Sequence, residues 1–426
     1  MPATRTAPVQ AVERNPARPA PLWWVWLAAW PVTAVFVLSN AATPLYVLWQ
    51  HDIGFSKGTL TVVFAFYIVG LIGSLLVSGV VSDRLGRKPV LLPALALALA
   101  ACLIFATATS VAALIVARLF TGIAVGAVVS AGMAAVTDVA GPERRRTAAL
   151  LASCAMVFGA GLGPLLAGVL SELAPAPTAT VFLVEAVLLA TALLVVLRMP
   201  VHRPKVRRPE TRRPETRRPE TRGNGPWVRV PGVPRGNGRQ LALGIAVFAP
   251  GITATSFVLS LGPSLLSGLL GTTDRILAGA MAFAMFLTAT GVQFAVQRLR
   301  RRTILTLGAL STALSMATLV LAVHVEAVAV LLAAALLAGA GQGLGQLGGL
   351  SLLNAGVPPQ RLAEANAALN VGGYLPAGLL PVSAGYLSDA VGLTDGATVF
   401  AAVLLALAVL GALVVRATRR DVTDPA

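Results

Sequence analysis

The sequence predicts an all-α membrane protein in which twelve transmembrane helices form two pseudo-symmetric halves of six. Three observations lead there. Of 426 residues, 56% are hydrophobic and only 12% charged, about half the charged share of an ordinary soluble domain. The apolar residues gather into twelve runs, each near the roughly 20 residues that a helix needs to cross a bilayer. The basic residues cluster in every second loop between those runs, as they do where Lys and Arg mark one face of a membrane. A mean hydropathy of +0.81 excludes disorder and nearly all soluble enzymes.

In chain order the spans read 22–46, 58–81, 89–107, 111–136, 147–171, 178–198, 241–267, 276–297, 303–323, 327–353, 362–388 and 396–416. Residues 1–21 form a disordered tail. The first run opens with Trp23, Trp24, Trp26 and Trp30, amphipathic rings of the kind enriched at a membrane interface. It also holds Ser39-Asn40-Ala41, a weak match to a signal-peptidase site. Cleavage there would leave eleven spans and an inverted charge pattern, so the run reads as an uncleaved anchor. Residues 22–198 then make the first six-helix bundle, 199–240 a linker, 241–417 the second bundle and 418–426 a closing tail.

With the N-terminus placed in the cytoplasm, 30 of the 33 Lys and Arg fall on the cytoplasmic side. Lys57 and Arg275 alone fall on the other side, and Arg118 lies within a span. Both termini are therefore expected in the cytoplasm, with the protein in the cell membrane. The net charge of +16 does not point to nucleic acid: +9 of it comes from the twelve basic residues and three acids between Pro200 and Gln240. That linker repeats RRPET at Arg207–Thr211, Arg212–Thr216 and Arg217–Thr221. Proline every five residues and dense charge prevent a packed core. The segment is either a surface for anionic lipid headgroups or a solvated linker. Cys102 and Cys154 lie in apolar runs without ligand spacing and read as packing residues, with no disulfide.

The halves repeat one another. Gly122 and Gly126 match Gly339 and Gly343 at a separation of 217, as do Pro142 and Arg144 with Pro359 and Arg361, and Pro164, Ala167 and Gly168 with Pro381, Ala384 and Gly385. Arg84-Leu85 matches Arg298-Leu299 at 214. Transporters are often built from such internal repeats.

Between the second and third spans stands GVVSDRLGRKP. Asp83 ends a helix, where it can accept charged hydrogen bonds, Gly86 permits a tight turn, and Arg84, Arg87 and Lys88 anchor the loop at the basic face. Gly79, Asp83, Arg84, Gly86, Arg87 and Lys88 fill every position of G-x-x-x-D-R-x-G-R-K, and the loop resembles the signature of the major facilitator superfamily. The resemblance covers the chain apart from the tails and the RRPET linker. It implies a loop that latches the two halves together in the outward-facing state, with Asp138, near the end of the fourth span, as a partner in its charge network. Such surface pairs act as a switch rather than as glue, since each is worth under about 1 kcal/mol.

Arg118 and Gly122 resemble the family's R-x-x-x-G motif, in which the arginine is associated with proton coupling. A cation at that depth is costly unless it is paired or faces water, and its repeat equivalent is Ala335. Gly159, Gly163, Pro164 and Gly168 resemble the fifth-helix motif of exporters in this superfamily, with Ala167 and Leu150 replacing two of its glycines. Glycines four apart allow close helix approach and Pro164 bends the axis. Glu185 is the one carboxylate placed near the middle of a span. It is either a group that binds and releases protons or a neutral glutamate packed between helices. The helices that line the cavity in the family make Tyr67, Thr253, Ser256, Gln342, Gln346 and Asn370 the candidate substrate contacts. No phosphate loop, zinc motif or catalytic cluster occurs, so neither an enzyme activity, a cofactor nor a metal is expected.

The expectation is therefore a monomeric secondary transporter in a lipid bilayer that exports a small drug-like or metabolite molecule by alternating access, driven by protons. Uptake of a sugar or organic acid by proton symport is the alternative, followed by a receptor or scaffold that no longer transports.

Overall fold

The computed structural model describes residues 21–200, 227–228, 230–268, 271–358 and 361–418. The expected tails, up to residue 20 and beyond 418, and the RRPET repeats lie outside them. Among the described residues the secondary structure is helical throughout, as it must be where backbone groups have no water to bond.

The first span is α1 (Leu22–Ala41), a short 3-10 turn (Thr43–Leu45) and α2 (Tyr46–Ile53). It corrects the expected end at residue 46. Pro44 interrupts the hydrogen-bond ladder without ending the helical course, which runs on to Gly54 in the left-handed region at φ 77°. Next come α3 (Lys57–Leu85) and α4 (Lys88–Ala106), separated by Gly86 at φ 99°. The fourth span is α5 (Val111–Ala127), a π-helical stretch (Val128–Gly132) and α6 (Met133–Ala140). The fifth and sixth are α7 (Arg145–Leu173) and α8 (Pro177–Arg198).

The second half comprises α9 (Gly238–Gly268), α10 (Arg275–Ala295), α11 (Arg301–Val325), α12 (Val328–Gly356), α13 (Leu362–Val391) and α14 (Leu393–Ala417). Eleven of the twelve spans are long and apolar enough to cross a membrane. The exception among the described residues is α13, the most polar of the twelve expected spans. It carries Glu364, Asn366, Asn370, Tyr374 and Asp389, and packs against α3 and α9.

Two inner helices carry the core. Along α9 every residue from Val247 to Leu266 is buried, and α1 is buried from Pro31 to Ala41. Around them the first half packs α1 on α7 and α8, α3 on α5, and α4 on α5 and α8. The second half packs α9 on α12, α13 and α14, and α11 on α12 and α14. Two helix pairs make the most extensive contacts between the halves, α7 with α10 and α3 with α13, and α9 adds smaller ones to α2 and α3. Their closest approaches lie at the end opposite the basic loops: Gly168 faces the Arg275 backbone, Gly279 faces Pro164, and Gly58 meets the ring of Tyr386. Towards the basic end α7 and α10 leave an apolar crevice of about 180 Å³, lined by Cys154, Phe158, Phe283 and Leu287 among others.

Candidate functional site

At the basic end α3 stops at Leu85 and α4 restarts at Lys88, so a two-residue turn holds the signature cations against the helix ends. Arg87 gathers the acids. Its Nη1 donates to Asp83 Oδ1 at 2.8 Å and to Ser82 Oγ at 2.9 Å, and its Nε donates to Asp138 Oδ2 at 2.9 Å. Partial burial lowers the Arg87 pKa, but the Asp138 and Asp83 carboxylates outweigh it and hold the guanidinium above its ordinary range. Lys88 Nζ reaches the Leu197 carbonyl at 2.8 Å, tying the loop to the end of α8. The Arg84 guanidinium lies 4.5 Å from the centre of the Trp227 ring in the linker. Gly79 is buried on α3. The structure thus brings Asp83, Arg87 and Asp138 into one network, while Lys88 and Arg84 turn to other neighbours.

Arg118 sits two turns into α5 with no exposed surface. Its Nε donates to the Tyr46 hydroxyl and its Nη1 to the Ser39 carbonyl at 2.7 Å, while Nη2 has no partner. Four rings surround the guanidinium, those of Tyr46, Phe64, Tyr67 and Phe105, with centres 5.1 to 5.9 Å away. Aromatic faces stabilise a desolvated cation but do not neutralise it, and among the described residues no carboxylate bonds to it. The sequence does not show Tyr46 and Ser39 as its partners, because the first span and α5 meet only in three dimensions. The one local signal was a tyrosine at the edge of an apolar span.

Glu185, midway along α8, is likewise fully buried, and neither carboxyl oxygen has a partner. It stands apart from Arg118, with no hydrogen bond or ion pair between them. Buried this deeply, the carboxyl can exchange a proton with water only after a change of conformation.

Small residues set the helix crossings. A Cβ on Gly159 would meet the Thr33 carbonyl, one on Gly163 the Val37 carbonyl, and one on Gly122 the Tyr67 carbonyl. Gly159 and Gly163 therefore press α7 on α1, while Pro164 and Gly168 press it on α10.

The six candidate substrate contacts differ in access. Tyr67, Gln342, Gln346 and Asn370 are partly exposed. Thr253 and Ser256 are buried on α9, and Thr253 donates to its own helix at the Ala249 carbonyl, 2.7 Å away. Gln342 Oε1 is buried without a partner, as is Asn366 Oδ1. The Tyr374 ring meets Phe248 edge-on with centres 6.4 Å apart.

The model of the family described as Major Facilitator Superfamily matches residues 25–325. A 3-(3-hydroxy-phenyl)propionate transporter of Escherichia coli K12 is 38% identical over 100 residues, 24% of this chain and 25% of that protein. Multidrug resistance protein MdtL of Klebsiella pneumoniae is 32% identical over 95 residues, 22% of this chain and 24% of that protein. The chain thus matches about a quarter of the length of these relatives. Among solved structures, a bacterial homologue of the human lysosomal transporter Spinster, inward-facing and unoccupied, superposes with a TM-score of 0.72 over 96% of this chain and all of that one, at 14% identity. A D-xylose-proton symporter gives 0.67 over 92% and 97%, at 18% identity. At such identities the likeness is one of fold.

Proposed function

The chain belongs to the Major Facilitator Superfamily, a family of transporters, and from that premise we propose that it exports a small drug-like or metabolite molecule across the cell membrane, driven by proton influx. The observation that carries the direction is the glycine and proline pattern of α7. Gly159 and Gly163 seat on α1, and Pro164 and Gly168 on α10, so one helix seals an intra-half contact with one face and an inter-half contact with another. The match to multidrug resistance protein MdtL supports the same direction. Glu185 is the proton carrier, a buried acid without a hydrogen-bond partner among the described residues, and Arg118 is the buried cation whose bonds to Ser39 on α1 and Tyr46 on α2 couple α5 to the first span. Substrate binds between the halves beside Tyr67, Gln342, Gln346 and Asn370. The basic loops face the cytoplasm, so the pathway is closed on the outside in this conformation, and the protein works as a monomer of two bundles, 22–198 and 241–417.

One arrangement favours a second reading. Among the described residues Arg118 is a buried cation without a carboxylate partner, ringed by aromatic side chains, which suits an organic acid with an aromatic body taken up by proton symport. The segment shared with the 3-(3-hydroxy-phenyl)propionate transporter agrees with it. Transport in energised inverted vesicles separates the two. Protonophore-sensitive accumulation of dyes or antibiotics supports export. Failure of every such compound to accumulate, together with proton-driven uptake of an aryl carboxylate by whole cells, establishes the second reading.

A further inference from the structure

The only two cations that break the charge pattern, Lys57 and Arg275, are the first residues of α3 and α10. Each meets an acid from the other half. Asp389 on α13 accepts from the Lys57 amide through Oδ1 at 3.0 Å and from the Gly58 amide through Oδ2 at 2.8 Å. Glu172 on α7 accepts through Oε1 from the Arg275 amide at 3.0 Å and from Arg275 Nε at 2.9 Å. Each helix start already has its own cap, which serves later amides: Ser56 takes Thr59 N, and Asp274 takes Ile276 N and Leu277 N. The acids from across the interface take the amides that those caps leave over.

The two arrangements are copies. Glu172 and Asp389 stand 217 positions apart, the separation that relates Pro164 to Pro381 and Gly168 to Gly385. The shared string is Ala-Gly-x-Leu-Ser followed by an acid, at residues 167–172 and 384–389. One turn before each acid its glycine lets the helices close: a Cβ on Gly168 would meet the Arg275 carbonyl, and one on Gly385 would meet Thr61 Oγ1 and the Lys57 carbonyl. The glycine sets the approach and the acid then meets the positive end of the opposing helix.

We propose that Glu172 and Asp389 form a twofold clasp, each binding the N-terminus of a helix in the opposite half, which holds the pathway shut at the end remote from the signature loop. The clasp opens when α7 slides from α10 and α13 from α3, and water then solvates both acids and both helix starts. Glu172 and Asp389 are thus positioning residues for the conformational step of transport. Because both clasps oppose the same opening, their contributions multiply. Each exposed charge-assisted cap shifts the closed-to-open ratio by up to about fivefold, and the pair by up to about twenty-five-fold.

The test measures distance rather than transport, so it stands whichever substrate or direction proves right. Spin labels at Asp52→Cys and Thr273→Cys, in a Cys154→Ser background in nanodiscs, report separation of the halves at this end by electron double resonance. Glu172→Ala and Asp389→Ala should each add a longer distance, and the double variant should make it the main population. Exchanging the acids, Glu172→Asp with Asp389→Glu, should restore the short distance. Asp395→Ala, an acid at the same end on α14, should leave it unchanged. An unaltered distribution in the double variant, or an equal shift from Asp395→Ala, overturns the proposal. Should the alanine variants fail to fold, Glu172→Gln and Asp389→Asn give the same reading, since they remove the charge and keep the shape.

Discussion

At the scale of residues, the two deep charges make different demands. Arg118 bonds the first span through two nitrogens of one planar fork, Nη1 to Ser39 on α1 and Nε to Tyr46 on α2, which a lysine cannot reproduce. Arg118→Lys should therefore fold, keep its charge and lose most transport. Arg118→Ala leaves the Ser39 carbonyl and Tyr46 hydroxyl without their donor, at a cost of about 2 kcal/mol. Thermal unfolding in detergent reads the second effect and vesicle flux the first. Glu185→Gln replaces the carboxyl by an amide of the same shape, so stability should change by less than about 1 kcal/mol while flux loses its response to a proton gradient. Unchanged gradient dependence in a folded Glu185→Gln protein removes Glu185 from the coupling. The sequence showed both residues, because a charge within an apolar run is conspicuous. It did not show their partners: Tyr46 lies 72 residues from Arg118, and only packing brings them together.

At the scale of helices, glycine spacing carries information that single residues lack. Gly163→Ala drives a methyl into the Val37 carbonyl and should destabilise the protein by about 1–3 kcal/mol, whereas Gly73→Ala has open space around it and should stabilise α3 by about 0.5–1 kcal/mol. Equal melting temperatures for these two variants contradict the crossing of α7 and α1. At the signature loop, Asp83→Asn keeps α3 folded but weakens the network centred on Arg87, so flux should fall with little loss of stability. Wild-type flux in the folded variant contradicts the latch. The spans were legible to within a few residues wherever apolar runs were bounded by charge. The end of the first span was not, because helical structure continues past Pro44 into the polar residues of α2. The polar residues of α13 stand in the sequence, but not the reason they are tolerated: α13 packs against both α3 and α9 and needs less apolar surface than a helix bathed in lipid. The clasp acids escaped notice because they looked like ordinary helix-end carboxylates until the opposing helix starts were seen beside them.

At the scale of the molecule, the two halves are closed at one end, and an apolar crevice separates α7 from α10 towards the basic end. Rocking of the halves about the α3 with α13 and α7 with α10 contacts would expose the buried acid and the polar residues between the halves alternately to each side. Such a cycle turns on a ligand that favours one state, and the proposed driving force is a proton gradient. Accumulation of fluorescent dyes and antibiotics in energised inverted vesicles, with and without a protonophore, tests this account most directly. The account predicts that at least one compound accumulates, that the protonophore abolishes the accumulation, and that Glu185→Gln does the same. Accumulation that persists without a proton gradient contradicts it.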